Sequence, residues 1–156
     1  METTVLGLDK IKTANLVTEL NGLLANFQVY YQNARGLHWN IKGKNFFELH
    51  AKFEEFYTDA QEKVDLIAER ILTLQGTPLH TFEDYISVAK VPVGKGISDD
   101  VEAVQLIVAS LSELLKIERV ILELADQADD EGTNSMMSDF IAEQEKTLWM
   151  MNAWLG

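Results

Sequence analysis

The sequence predicts an all-α protein, a four-helix bundle in which one long connection joins the second helix to the third. Four stretches repeat apolar residues at helical spacing over several turns. The only two prolines, Pro78 and Pro92, both fall between the second and third stretches, so the predicted helices contain no proline. Four long helices with a single connection of about twenty residues imply a bundle with a crossover.

The first two predicted helices follow from apolar spacing and from the residues that interrupt it. The first covers residues 13–31, and Arg35 with Gly36 predicts a break after it. The second begins near Asn45 and ends at Gly76, with Pro78 two residues further on.

The second half of the chain contains the crossover and two more helices. Residues 81–96 are rich in turn formers, with room for one short extra helix at 82–88. The third long helix starts after Asp99, which is a good N-terminal cap. A polar break at 128–134 then precedes the last helical run at 136–155.

Composition narrows the class of protein. Twenty-five acidic against thirteen basic residues give a net charge of −12, which argues against nucleic-acid phosphates as a partner and favours cations. The absence of cysteine excludes disulfides and thiolate metal sites. No signal sequence and no apolar run of about 18 residues is present, so we expect a cytoplasmic protein without a membrane span. The sequence shows no internal repeat and no domain boundary, which predicts a single domain, residues 1–156.

The second helix carries two pairs of potential metal ligands. His50 and Glu54 are four residues apart, and so are Asp65 and Glu69, so each pair projects from one helix face with about 6 Å of rise. Such pairs can hold a divalent ion of the Fe or Mn type. They also occur on ordinary solvated faces, where a nearby cation such as Arg70 could neutralise them.

The distance between these pairs decides how they could be used. His50 and Asp65 are separated by about 22 Å along a straight helix, which no single ion with ligands at about 2.1 Å can bridge. If all four residues bind metal, they must form two half-sites in each chain, and another subunit must complete each one at a symmetric interface. The chain lacks a Glu-x-x-His motif, so a di-iron site within the bundle is not expected.

Five longer runs of the sequence share one pattern of histidine, tryptophan and acidic residues with a known family: 33–43, 46–50, 53–57, 65–71 and 145–150. These runs resemble the Dps family of mini-ferritins, which belongs to the ferritin-like superfamily. The similarity covers most of the first two helices and one run close to the C-terminus, so it implies a ferritin-like bundle.

The resemblance implies a dodecameric hollow shell with a two-iron ferroxidase centre at each two-fold interface. His38 and His50 would come from one subunit, and Asp65 and Glu69 from its neighbour. Glu54 stands where the family places a further acidic ligand.

The function that the resemblance implies is iron storage and detoxification. Fe(II) would be oxidised by hydrogen peroxide or dioxygen, and the ferric oxide would be stored, which protects the cell from oxidative damage. Trp39 would lie beside the site and take up an electron, or it would simply pack at the interface. Two alternatives are a shell protein with a purely structural metal and a DNA-compacting protein.

Two further expectations come from the family pattern. An acid-rich stretch resembles the family's acidic ion-entry pore, although Ser135 stands where relatives often carry an acid. Members that bind DNA use a lysine-rich tail, whereas this N-terminus offers only Lys10 and Lys12, so no direct DNA binding is expected. The candidate pore acids are Asp126, Asp129, Asp130, Glu131 and Asp139.

Overall fold

Five helices and no strand make up the computed structural model, which describes all residues from 1 to 156. The crossover carries its short helix where the sequence predicts it, and the predicted all-α, ferritin-like architecture is confirmed. None of the helices combines the length and apolarity that a membrane crossing needs. The helices are α1 Lys10–Asn40, α2 Phe46–Thr73, α3 Phe82–Val88, α4 Asp100–Gln127 and α5 Glu131–Leu155.

The four long helices bury one continuous apolar core. In α1, large side chains recur every three or four residues and lie against α2 and α4, while α4 packs along α5. Phe27 lies at the centre, where its ring meets Tyr30 and Phe140 edge-on at 6.2 and 5.9 Å between centroids. Each fully buried side chain of this size contributes roughly 1.5–3 kcal/mol to folding.

The first helix does not break where the sequence predicts. It continues through Gly36 and ends at Asn40. The prediction was wrong because the buried residues Ala34, Leu37 and His38 continue the apolar face of the preceding turns, and their packing offsets the cost of about 1 kcal/mol for a helical glycine.

The crossover is held to α1 by three asparagine side chains. Each donates to a backbone carbonyl and accepts from a backbone N–H, which satisfies polar groups that a non-helical segment would otherwise leave unpaired. Of these carbonyls, one lies on α1 itself, at Gly22, and two lie on the crossover. The crossover partners are Thr77 and Leu79 for Asn21, Lys90 and Val91 for Asn26, and Pro92 and Gly94 for Asn33.

The last helix begins earlier than predicted. Glu131 opens α5, and Asp130 caps it by accepting from the backbone N–H of Thr133 at 3.0 Å. The predicted break at 128–134 is present but covers only 128–130, because a polar first turn needs a cap and not an apolar face. Arg70 of α2 also donates to Asp130, at 2.6 Å, and so ties the start of α5 to α2.

Candidate metal centre

Two histidines meet where α1 ends and α2 begins. The short connection reverses the chain at Gly43, whose φ of 112° lies in the region that favours glycine. The reversal brings the His38 and His50 rings into a parallel stack, with centroids 3.8 Å apart and planes 11° apart.

The hydrogen bonds of this pair determine which nitrogen of each ring donates a proton. Nδ1 of His38 lies 2.6 Å from the backbone oxygen of His50, and Nδ1 of His50 lies 2.7 Å from the backbone oxygen of His38. A carbonyl oxygen can only accept, so each Nδ1 carries the proton. In the neutral ring, Nε2 is then the nitrogen with the lone pair, which is the arrangement that metal-binding histidines use.

Neighbouring side chains hold the rings in place and add a carboxylate. The ring of Tyr57 meets His38 edge-on at 5.4 Å, and Phe46 stacks on His50 at 4.8 Å. Glu54 places Oε1 3.6 Å from Nε2 of His38, and its side chain is otherwise exposed. The structure thus brings His38, His50 and Glu54 to one place.

Asp65 and Glu69 lie apart from this group, further along α2. Both are exposed, and neither makes an ion pair within the chain. Arg70, which the sequence offered as a neutralising cation, pairs with Asp130 instead. No three histidine or acidic side chains of one chain are arranged to hold a single ion.

Comparison with known proteins identifies the fold and the family. The family described as Ferritin-like domain matches residues 17–156. A protein of Porphyromonas gingivalis named DNA protection during starvation protein is 41% identical over 96% of this chain and 94% of its own length. This chain belongs to the Dps family.

Solved structures of Dps proteins agree with this assignment. The Dps protein of Vibrio cholerae O1 is 52% identical to this Dps chain, with a TM-score of 0.97 over 100% of this chain and 98% of that one. It is described as a member of a broad superfamily of ferritin-like diiron-carboxylate proteins. The Dps protein of Bacillus brevis is 35% identical, with a TM-score of 0.91 over the full length of both chains.

Trp39 follows the first histidine of this Dps chain and points outward. Its side chain is among the exposed large apolar groups, at 57%, although the Arg35 guanidinium lies 4.9 Å from the ring centroid. A tryptophan in this position is available to a neighbouring subunit.

The candidate pore acids divide into two groups. Asp126, Asp129, Glu131 and Asp139 are exposed at the end of α4, in the turn and along α5. Asp130 is only 2% exposed and is occupied by Arg70 and the helix cap, so the prediction that it lines a pore was wrong. Burial makes Asp130 a structural group because its carboxylate has no contact with solvent.

One polar cluster inside the bundle escaped sequence reasoning. Lys63 of α2 donates hydrogen bonds to Asp59 of the same helix and to Glu143 of α5. Gln144 of α5 donates to Glu118 of α4. Burial acts to lower the pKa of Lys63, but the hydrogen bonds to the two carboxylates outweigh it and raise that pKa. The only sequence signal was a pair of charges four residues apart on α2, which is common on solvated faces.

Proposed function

We propose that this Dps chain is a ferroxidase and iron-storage protein. Its substrates are Fe(II) and hydrogen peroxide, or dioxygen, and its product is ferric oxide held in a hollow shell of about twelve copies. The observation that carries the proposal is the histidine pair, in which backbone carbonyls hold both Nδ1 atoms as donors and so leave Nε2 of each neutral ring as the metal-binding nitrogen.

The two-iron site would be shared between subunits. His38, His50 and Glu54 of one subunit supply imidazole and carboxylate, and Asp65 and Glu69 of a neighbour supply two more carboxylates. The exposure of those two acids and their lack of an ion pair in the chain support this arrangement, because a partner can approach them. Isologous pairing across a two-fold axis would create two such sites at once.

Each ligand type has a separate task in the oxidation. The imidazoles bind Fe(II), and the carboxylates stabilise the harder Fe(III) that forms. Two Fe(II) ions give up one electron each, and hydrogen peroxide takes both electrons with two protons and becomes two water molecules. Trp39, exposed beside the pair, would accept an electron that escapes this reaction.

Iron would reach the shell interior through an acidic entry. Asp126, Asp129, Glu131 and Asp139 are exposed, and together they give this part of the surface a negative field that attracts hydrated cations.

We further propose a cytoplasmic role in oxidative stress without direct DNA binding. The lysines of the N-terminal segment are engaged within the chain. Lys10 pairs with Glu2 at 3.4 Å, and Lys12 donates to the backbone oxygen of Gln127 at 3.1 Å. The net charge of −12 per chain opposes approach to a phosphate backbone.

The test loads the protein with Fe(II) under anaerobic conditions, adds hydrogen peroxide and follows iron and protein together on a sizing column. Wild type is expected to elute as a large assembly that carries ferric iron. A His38→Ala, Asp65→Ala variant is expected to oxidise Fe(II) at least about 10-fold more slowly, since it loses one ligand from each half-site.

A His80→Ala, Asp84→Ala variant is the matched control, because it removes the same two residue types from exposed positions on the crossover. It is expected to behave as wild type. A wild-type shell that oxidises Fe(II) no faster than buffer would refute the ferroxidase and leave a structural metal as the alternative.

A further inference from the structure

Glu118 of α4 and Gln144 of α5 form a buried polar pair between two neighbouring helices. Glu118 is 0% exposed and Gln144 is 4% exposed. The side-chain amide of Gln144 donates to Oε2 of Glu118 at 2.6 Å and to the backbone oxygen of Phe140 at 2.9 Å. Both hydrogens of this amide are therefore in use.

One oxygen of each side chain in this pair has no donor. Oε1 of Glu118 and Oε1 of Gln144 are both buried, and neither has a hydrogen-bond partner while the carboxyl group is ionised. Unpaired acceptors in a dry interior are rare, because such an atom loses its hydration without compensation. An ionised carboxylate is an acceptor only, so it cannot satisfy the amide oxygen beside it.

The charged side chains that act on Glu118 do not supply the missing donor. Lys63 of α2 uses all three of its N–H groups on Asp59 and Glu143. Arg119, next to Glu118 on α4, is exposed and forms its ion pair at the surface. Burial outweighs both positive charges, is reinforced by the negative charge of Glu143 and raises the pKa of Glu118 to about 8.

A groove of about 260 Å³ runs beside Gln144 and offers water a way to the pair. Tyr30 of α1 lines the same groove. Burial raises the pKa of the Tyr30 hydroxyl, so α1 adds no charge to this part of the core at neutral pH.

We propose that Glu118 carries a proton on Oε1 and closes an acid–amide ring of two hydrogen bonds with Gln144, which latches α4 to α5 and opens when the proton is lost. One proton satisfies both unpaired oxygens, because the acid then donates to Oε1 of Gln144 while its Oε2 still accepts from the amide. Without the proton, a carboxylate faces an amide oxygen in a dry interior, which is unfavourable. The latch shares no residue with the histidine pair and is independent of the proposed oxidation.

The latch makes the contact between α4 and α5 depend on pH. Opening exposes Glu118 to water, where a glutamate releases its proton near pH 4.5, whereas the closed form keeps the proton up to about pH 8. Opening therefore releases one proton between these values. The opening constant is expected to increase about 10-fold per pH unit in that window and to level off above it.

Infrared difference spectra between about pH 6 and about pH 9 test for the proton. Wild type is expected to show the C=O stretch of a protonated carboxyl group at the lower pH and to lose it at the higher one. Glu118→Gln should lack this band. Glu113→Gln is the matched control and should keep it, because Glu113 is a partly exposed glutamate on the same helix. Gln144→Leu should shift the band, since the acid loses its acceptor.

Hydrogen exchange at the backbone amide of Gln144 tests the latch. Glu118→Gln supplies an amide that donates to Oε1 of Gln144 at every pH. The ratio of the opening constants, wild type to this variant, is expected to rise about 10-fold per unit between about pH 6 and about pH 8.

The two measurements overturn different parts of the proposal. A wild type without the carboxyl band at about pH 6 would refute the protonated ring, and so would a band that Gln144→Leu leaves unshifted. A ratio of opening constants that stays the same across the window would refute the latch. If Gln144→Leu fails to assemble, the two glutamine variants, which keep the shape of the side chain, still decide both points. None of these results bears on iron oxidation by the wild type.

Discussion

Glu118 is a carboxylic acid enclosed by the helices of the bundle. Burial raises its pKa to about 8, although the hydrogen bond from Gln144 and the charge of Lys63 act in the opposite direction. At neutral pH the folded chain therefore keeps a proton on Glu118 that an unfolded chain would release. Because the folded chain binds this extra proton, its free energy of unfolding depends on pH.

Stability is expected to decrease as pH rises between about 4.5 and about 8. In that window the folded state binds one more proton than the unfolded state, so the free energy of unfolding falls by about 1.4 kcal/mol per pH unit and levels off above it. Glu118→Gln should remove this contribution. Melting temperatures of both proteins at about pH 5 and about pH 8 check it, and parallel pH profiles would contradict it.

At the scale of elements, the crossover depends on its contacts with α1. A segment without regular structure must satisfy its backbone through side chains, and the asparagines of α1 do this. Asn26 is the most buried of them, and its Oδ1 accepts from two successive backbone N–H groups, those of Lys90 and Val91.

Asn26→Ala is expected to loosen the crossover. It leaves the N–H groups of Lys90 and Val91 without an acceptor, which costs about 2 kcal/mol. Hydrogen exchange at these two amides should accelerate more than exchange within α1. Gln32→Ala is the control because that residue is exposed on the same helix. Equal protection in the two variants would show that the crossover is held by other contacts.

The junction of α2 with α5 supports a second prediction at this scale. Asp130→Ala removes both the cap of α5 and the buried partner of Arg70, so we expect a loss of about 3 kcal/mol in stability. Asp126→Ala, at an exposed position near the end of α4, should cost less than about 0.5 kcal/mol. Urea unfolding measures both, and similar midpoints would refute a structural role for Asp130.

At the scale of the whole molecule, exposed apolar groups favour contact with other copies of the chain, whereas the net charge disfavours contact with nucleic acid. Phe47 and Phe82 are 83% and 84% exposed, and such groups favour contact with other copies of the chain. The acidic excess acts against nucleic acid, and the charge of an assembly grows with every copy.

The assembled protein is therefore expected to leave DNA unretarded in a gel-shift experiment at ordinary salt. Addition of Mg²⁺ provides the stringent condition, since a divalent ion could bridge the acidic surface to phosphates. A variant with several lysines added before Met1 is the positive control and should retard the DNA. Retardation of the DNA by the wild-type protein would contradict this expectation and would mean that assembly creates a basic surface.

The sequence by itself determined the helical class, the crossover with its short helix and the residues that could bind metal. These features depend on local patterns, namely apolar spacing, proline placement and ligands at helical intervals. The resemblance to Dps extended this to the family, which the comparisons confirm. The shared metal site remains a prediction, because it requires a second subunit.

Only the tertiary structure decided how distant residues pair. Gly36 stays helical because its neighbours pack into the core, and Asp130 is buried because Arg70, sixty residues earlier, reaches it. The bond between Lys63 and Glu143 joins positions eighty residues apart. No local pattern specifies such pairs, since an acidic residue in sequence looks the same whether it faces water or a buried cation. Packing alone determines its partner, and with it the pKa and the function of the group.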